Sequence, residues 1–272
     1  MKTSLNGILT VDVEDISCAN FPLRREYIPE ERNVEKGVKK TLELLDLTKS
    51  KATFFILGDV AKKNPGVVKE IARSKNEVAS HGMTHRLVYQ IGSKEFLKEI
   101  KNSRKILEDI TGEKVIGYRA PSWSIDENSL WALNILQEEE FIYDSSIFPV
   151  KNFLYGTDNF PPYPHRIGKL WEIPPSTLPF LWKRIPIGGG FYLRFFPSFL
   201  ISQGLKWLSQ RKIPLVLYFH TWEVVPPVKL PEYSLFHQFI VTYNLTSLQD
   251  KVGAILKKNK FFSIREYLED TK

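Results

Sequence analysis

The sequence predicts an α/β domain made of βα units feeding a mostly parallel sheet. Short apolar runs alternate with amphipathic stretches through the first half of the chain. Polar clusters follow several of those runs directly, at the strand ends where barrels of βα units assemble their sites. The composition, 272 residues with 43% hydrophobic and 25% charged, is that of an ordinary soluble globular protein with enough chain to bury a real core. No internal repeat is evident. The expected organisation is one domain over residues 1–225 followed by a C-terminal helical extension over residues 226–272.

Leu5 to Val11 reads as the first strand. Asn33 can cap a helix running to about Ser50, with Val34, Val38, Leu42, Leu45 and Leu47 as its apolar stripe. Ala52 to Leu57 follows as a buried strand, and Asn64-Pro65 opens a helix to about Ser74. Glu77 to Ser80 is a short strand leading into His81. Ser93 can cap a helix to Ile110, Lys114 to Tyr118 is a strand, Asp126 opens a helix carrying Leu130, Leu133 and Leu136, and Tyr143-Asp144 ends another strand. From Phe148 to Pro197 the texture turns to proline, glycine and aromatics, which reads as long ordered loops rather than a linker. A helix from Pro197 to Arg211 and a strand from Leu215 to Phe219 resume the alternation, ending at His220. Helical stretches near Leu245 to Lys257 and Ser263 to Leu268 complete the chain, the latter with a Ser263-Ile264-Arg265-Glu266 capping box.

Thirty-eight Lys and Arg against 31 Asp and Glu leave a formal charge of +7. No zinc finger, RNA-recognition signature or long basic tract accompanies it, so nucleic acid is not an expected partner. An anionic membrane face or a phosphate-bearing substrate suits the charge better. A single cysteine, Cys18, excludes an internal disulfide scaffold and is compatible with a reducing compartment. The opening residues hold no signal-type apolar run, and no apolar run approaches a membrane span. The expected location is therefore the cytoplasm, with contact at the inner membrane face.

Three clusters carry candidate chemistry: Asp12-Val13-Glu14-Asp15, Ser80-His81 to His85, and Phe219-His220. Singly, each has a bland explanation as a cap, a solvated histidine pair or a structural histidine. Together, two histidines and a carboxylate with an open position form the ligand set of a catalytic zinc site. A second carboxylate is then free to act as base and His220 as acid. Arg119 follows a strand and could hold the base ionised. Asp144 could orient a catalytic histidine or simply cap Ser145 and Ser146. The Gly188-Gly189-Gly190 run has no following Lys-Ser or Lys-Thr and no helix start, which argues against a phosphate-binding loop; it is a tight turn or a point of backbone access.

Val11-Asp12-Val13-Glu14-Asp15, His81 to His85, Arg119-Ala120-Pro121, Tyr143-Asp144-Ser145-Ser146 and Leu217-Tyr218-Phe219-His220, in that order, resemble the five motifs of the polysaccharide deacetylases of carbohydrate esterase family 4. Asp-Val-Glu-Asp, Glu172-Ile173-Pro174, Gly188 to Phe191, His220-Thr221-Trp222-Glu223 and Leu235-Phe236-His237 resemble the exopolysaccharide-associated branch of that family. The resemblance implies a distorted (β/α) barrel of about seven strands. It implies Asp12 as catalytic base, His81 and His85 as metal ligands, Arg119 as the partner of Asp12, and His220 as general acid. Two positions depart from the family pattern. Val13 stands where a second Asp is usual, so Glu14 and Asp15 compete as the third ligand; strand alternation favours Glu14. Ser122 stands where Tyr is usual, keeping a backbone N–H for an oxyanion hole.

The implied reaction is hydrolysis of the acetamide of an N-acetylated amino sugar, assisted by a divalent metal, foremost Zn2+. Aromatics between Phe153 and Phe196 are a candidate sugar-stacking wall. The expected substrate is a glycan or a lipid-linked or nucleotide-linked precursor, with the basic, aromatic stretch Phe191 to Phe199 resting on a membrane surface. The competing readings are a metal-independent amide or imide hydrolase of the same fold and a noncatalytic carbohydrate-binding protein. The oligomeric state is open.

Overall fold

A computed structural model describes residues 6–18, 20, 34–151, 156–225 and 233–271. The first strand, β1 (Asn6–Val13), runs two residues beyond the expected end and so carries Asp12 within it. Its apolar run is buried on both faces, as a central parallel strand requires. Helix α1 (Val34–Thr48) packs Val34, Val38, Leu44 and Leu45 inward. Leu47, placed on that stripe by the sequence reading, is instead 77% exposed; Gly37 and Thr41 occupy the buried face. The Asn33 cap lies outside the described residues, as does Leu5.

Strand β2 (Thr53–Ile56) is followed by a short helix α2 (Gly58–Lys63) that the sequence reading lacks, and by α3 (Pro65–Arg73), which begins with proline as expected. The Asn64 side chain does not cap it but donates back to the Val60 carbonyl at 3.1 Å. Strand β3 (Glu77–Ser80) leads into α4 (Val88–Thr111), broken at Gly92 (φ 71°, ψ 169°), so that its long second part starts at the expected Ser93. Next come β4 (Gly117–Tyr118), α5 (Trp131–Glu138) and β5 (Tyr143–Asp144). Asp126 does not open α5; its carboxylate accepts from the Asn128 N–H at 2.9 Å and the Ser129 hydroxyl at 3.0 Å, forming a turn ahead of the helix.

The stretch expected to be loops contains β6 (His165–Ile167), β7 (Leu170–Glu172), β8 (Thr177–Phe180), β9 (Lys183–Pro186) and α6 (Gly190–Phe195). These pieces are too short to develop a periodic pattern, and their prolines sit at ends or in an outlying hairpin where a missing N–H is tolerated. Then follow α7 (Ser198–Gln210), β10 (Leu215–His220), α8 (Leu235–Thr242), α9 (Leu248–Leu256), β11 (Lys260–Phe262) and α10 (Ile264–Asp270). The Ser263–Glu266 capping box forms at the start of α10 as expected.

Strands β10, β1, β2, β3, β4, β5 and β7 are parallel neighbours in that order, with β6 antiparallel outside β7 and β11 beside the start of β1. The curl is completed without a regular strand. Ser176 N–H donates to the Val216 carbonyl at 3.1 Å, Val216 N–H to the Ser176 hydroxyl at 2.8 Å, and Tyr218 N–H to the Gly188 carbonyl at 2.7 Å. The result is a distorted (β/α) barrel. This closure accounts for the triple glycine: a Cβ on Gly189 would stand 1.8 Å from the Tyr218 carbonyl oxygen. Contrary to the sequence reading, a helix does begin there, α6 at Gly190.

Inside the barrel, Ile8, Phe55, Ala79, Tyr143 and Val216 pack against Ile264 and Leu268 of α10. Helix α10 also donates its Ile264 and Arg265 N–H groups to Thr53 and Glu77, at 2.8 and 3.0 Å. The amino-terminal end of the barrel is thereby plugged, and the polar strand ends collect at the other.

Candidate active site

Glu14 follows the end of β1, where Thr221 secures the chain by accepting from the Glu14 N–H at 3.3 Å and donating to its carbonyl at 3.0 Å. Its carboxylate meets the two histidines that follow β3. Nε2 of His85 lies 2.9 Å and Nε2 of His81 3.5 Å from Oε2 of Glu14. These three residues present ligand atoms within 4.8 Å of one another, and all three are buried. Nδ1 of His81 bonds the Arg119 carbonyl at 2.8 Å, which places its proton there and leaves Nε2 a lone pair facing Glu14. Oε2 of Glu14 is buried with no hydrogen-bond partner despite those short approaches, because the contacts lack hydrogen-bond alignment. An orphaned carboxylate oxygen between two imidazole nitrogens fits a divalent cation with nitrogen and oxygen preference. Burial would raise the Glu14 pKa, but the imidazoles of His85 and His81 close beside it, with His220 behind them, hold it well below the usual carboxylate range.

Asp12 faces this cluster. Its Oδ1 accepts from Nη1 of Arg119 at 2.8 Å, and both side chains are almost wholly buried. The guanidinium has no freedom to leave. It also donates to the Ser145 carbonyl at 3.1 Å and the Ser145 hydroxyl at 2.8 Å, and it is clamped between the Phe55 and Trp123 rings, 4.1 and 4.7 Å from their centroids. Such a pair is costly to break, since either charge left alone is buried without compensation.

His220, at the end of β10, points Nε2 into the same space, 3.9 Å from Oδ2 of Asp12 and 3.8 Å from Oε1 of Glu14. Its other nitrogen bonds Oε2 of Glu223 at 2.8 Å, and Oε1 of Glu223 accepts from Arg194 at 2.9 Å. Burial would lower the imidazole pKa; the carboxylates of Glu223, Glu14 and Asp12 outweigh it and raise it to about 9. The ring stacks on Trp222 at 5.2 Å, yet 22% of the side chain is open, enough for a substrate atom to reach it.

Asp12, Glu14, His81, His85, Arg119 and His220 all line one cavity. Asp15 is not part of the His81–His85 cluster; the strand does not end early enough to free it, and alternation past Val13 brings Glu14 back beside Asp12. Asp144 does not orient a histidine. Its carboxylate accepts from the Ser146 hydroxyl at 2.5 Å and the Ser146 N–H at 3.2 Å, and it faces Glu172 on the neighbouring strand. The residue that orients the catalytic candidate His220 is Glu223, reached through an i, i+3 capping box at the end of β10. That spacing was the available signal. The aromatic wall is also assembled differently. Trp123, Tyr218, Trp222, Tyr89 and Phe191 line the cavity, so only Phe191 comes from the expected stretch among the described residues, and Phe153 lies outside them. Ser122 lines the cavity as well, with φ of 49°, a left-handed backbone that a non-glycine residue adopts at a cost.

Residues 27–139 match the family model described as polysaccharide deacetylase, and residues 145–269 match a domain of unknown function, DUF3473. Among curated proteins, a peptidoglycan-N-acetylglucosamine deacetylase of Bacillus cereus is 34% identical over 94 residues, 34% of this chain and 34% of that one. The chain spans well under two thirds of the curated relatives it matches, 36% and 45% of two others. Among solved structures, a CE4 family pseudoenzyme from Bacillus anthracis superposes with TM-score 0.55 at 15% identity, covering 98% of this chain and 66% of that one. Puue allantoinase superposes with TM-score 0.61 at 15% identity, covering 94% and 85%. Both establish the barrel fold.

Proposed function

This chain carries a polysaccharide deacetylase domain, and from that premise we propose that it is a metal-dependent N-deacetylase acting on the acetamide of an N-acetylated amino sugar in a glycan or glycan precursor. The observation that carries the reading is the buried Glu14–His81–His85 cluster set beside the Asp12–Arg119 pair and His220 in one cavity. Glu14, His81 and His85 would hold the metal, foremost zinc. A divalent cation there supplies Lewis acidity, polarising the acetyl carbonyl and acidifying water. Asp12, held in place by Arg119, accepts the proton of the attacking water. The oxyanion that develops on the acetyl oxygen is offered the backbone N–H of Ser122. His220, aligned by Glu223, protonates the departing nitrogen, without which an amine is a poor leaving group.

The allantoinase likeness keeps a metal-free amide hydrolase in view, and the pseudoenzyme likeness keeps a noncatalytic role in view. The complete ligand cluster speaks against the first, and the undamaged Asp12–Arg119 and His220–Glu223 pairs against the second. One experiment separates the three: metal content by mass spectrometry together with acetate release from N-acetylated chitin oligomers and phosphate-linked N-acetyl sugars. About one divalent ion per chain is expected, lost in His81→Ala and His85→Ala together with acetate release. Full metal occupancy in both variants, or acetate release undiminished after chelation, overturns the reading.

A further inference from the structure

The cavity mouth opens beside an unusual surface. Between Glu172 and Glu223 the chain carries no acidic residue and six basic ones; Arg194 is buried against Glu223 and Arg184 half-buried, while Lys183, Lys206, Arg211 and Lys212 are exposed. Helix α8 holds no Asp, Glu, Lys or Arg at all. These same segments expose nine of the thirteen exposed large apolar side chains among the described residues. At the tip of the β8–β9 hairpin, Leu181 is 76% and Trp182 84% exposed, with Phe180 beside them. Around α6 and α7 the exposed set is Phe195, Phe199 and Leu200; on α8 it is Leu235, Phe236 and Phe239. A monomeric soluble surface rarely concentrates aromatic tips in this way.

The three groups are linked. Phe180, Phe196 and Leu200 line one groove between the hairpin and α7. Phe196 meets Phe195 at 5.5 Å, Phe195 stacks on Phe191 at 5.3 Å, and Phe191 meets Phe239 at 6.0 Å. Phe191 and the α8 residues Ile240 and Val241 also line the active-site cavity. One side of these two helices therefore forms the wall of the site, and the other continues the aromatic surface.

We propose that this face docks on an anionic bilayer, with the cavity mouth at the membrane surface. Aromatic and leucine side chains on tips enter the headgroup region, and the exposed Lys183, Lys206, Arg211 and Lys212, with no carboxylate on these segments to oppose them, are attracted to acidic headgroups. No helix among the described residues is long and apolar enough to cross a membrane, so the contact is peripheral. The inference rests on the deacetylase reading in one respect: it makes the substrate a sugar held at the membrane.

The test is co-sedimentation of the full chain with vesicles of phosphatidylglycerol and phosphatidylcholine, compared with phosphatidylcholine alone. Binding at least several-fold stronger to the anionic vesicles is expected, weakening as salt is raised. The double variant Leu181→Ser/Trp182→Ser should lose at least tenfold in binding while keeping its circular dichroism and metal content. Phe199→Ser, on a separate element, should weaken binding in the same direction. Equal affinity for both vesicles, or undiminished binding by both variants, overturns the proposal. So does a wild-type dimer in light scattering that the double variant dissolves without any vesicle binding, which would assign the face to a second copy. Because binding is read without turnover, vesicle binding without acetate release would leave the docking standing and remove the deacetylase reading.

Discussion

Two pairs of carboxylates sit at strand ends of this barrel, one at β1 and the other at β5 and β7, and they live in opposite electrostatic worlds. Asp12 and Glu14 at β1 are met by Arg119, His81, His85 and His220; Asp144 at β5 and Glu172 at β7 are met by hydroxyl and amide donors and by each other. Burial is comparable, since all four are buried. The outcomes differ in sign. Glu14 is held well below the usual carboxylate range, whereas burial drives Asp144 up to about 6 and Glu172 well above its ordinary value. Oε2 of Glu172 has no hydrogen-bond partner of its own, and a proton shared with Asp144 satisfies it. A strand-end carboxylate is therefore a candidate for chemistry only when cations are built around it; without them it becomes a structural link that holds a proton with its neighbour. Position in the barrel does not separate the pairs, but their partners do.

Removing the charge at Asp12 should expose the contrast most strongly. Asp12→Asn keeps shape and loses the base, so kcat should drop by roughly 10²–10⁴-fold. Metal content should be retained, because the cluster of Glu14, His81 and His85 is untouched. Acetate release within a few-fold of wild type would show that the pair at β1 is no more chemical than the proton-sharing one.

A smaller effect is expected one bond further out. Glu223 is the leading cause among those that raise His220 to about 9, and it acts against burial, which lowers it. A general acid must be protonated to work, so the alkaline limb of kcat/KM reports this group. In Glu223→Gln the imidazole loses its carboxylate partner and its pKa falls, and the alkaline limb should move to lower pH by about one unit or more. At pH 6 the loss should be modest. A cation held at Glu14 would itself lower the imidazole pKa, but it does so equally in both proteins, so the direction of the difference stands. An unmoved alkaline limb in the pH–rate profile would remove Glu223 from the mechanism.

These partner relations explain what could and could not be read from the sequence. The βα units up to Asp144 announce themselves through apolar runs and, at α3, through its opening proline, and β3 matches its expected bounds. The choice of Glu14 over Asp15 followed from alternation along β1, a local rule. Asp144 stays open between a histidine and the serines in the sequence, because which of them a carboxylate meets depends on the neighbouring strand and not on its own segment; the structure gives it Ser146. Glu223 was visible only as a letter of a motif; its hydrogen bond to His220 depends on a single capped turn. The pieces β6 to β9 were hidden by their brevity, and the closure at Gly188 and Gly189 by the fact that close backbone approach leaves glycine, and no other trace, in the sequence.

The proton-sharing pair offers the smallest effect and the cleanest sign. Where a folded-state carboxyl pKa is raised, the native protein binds more protons than the unfolded chain between the two values. Stability is then fully present below the ordinary carboxyl range and falls as pH rises through the native values, about 6 for Asp144 and higher for Glu172. The Arg119 charge offsets only part of the burial cost at Glu172. Glu172→Gln keeps an oxygen to accept from the Ile147 N–H, now 3.1 Å from Oε1, and replaces the partnerless Oε2 with an amide that donates to Asp144. The shared proton is no longer needed. In urea titrations the variant should therefore show a flatter stability profile between about pH 4 and 8 and should equal or exceed wild type by about 1 kcal/mol at the alkaline end, a pKa unit being worth about 1.4 kcal/mol. Activity should stay within about tenfold, since the side chain touches no reacting group. If the variant instead loses more stability at pH 8 than at pH 4, the pair is ionised and held by Arg119, and the distinction between the two carboxylate pairs fails.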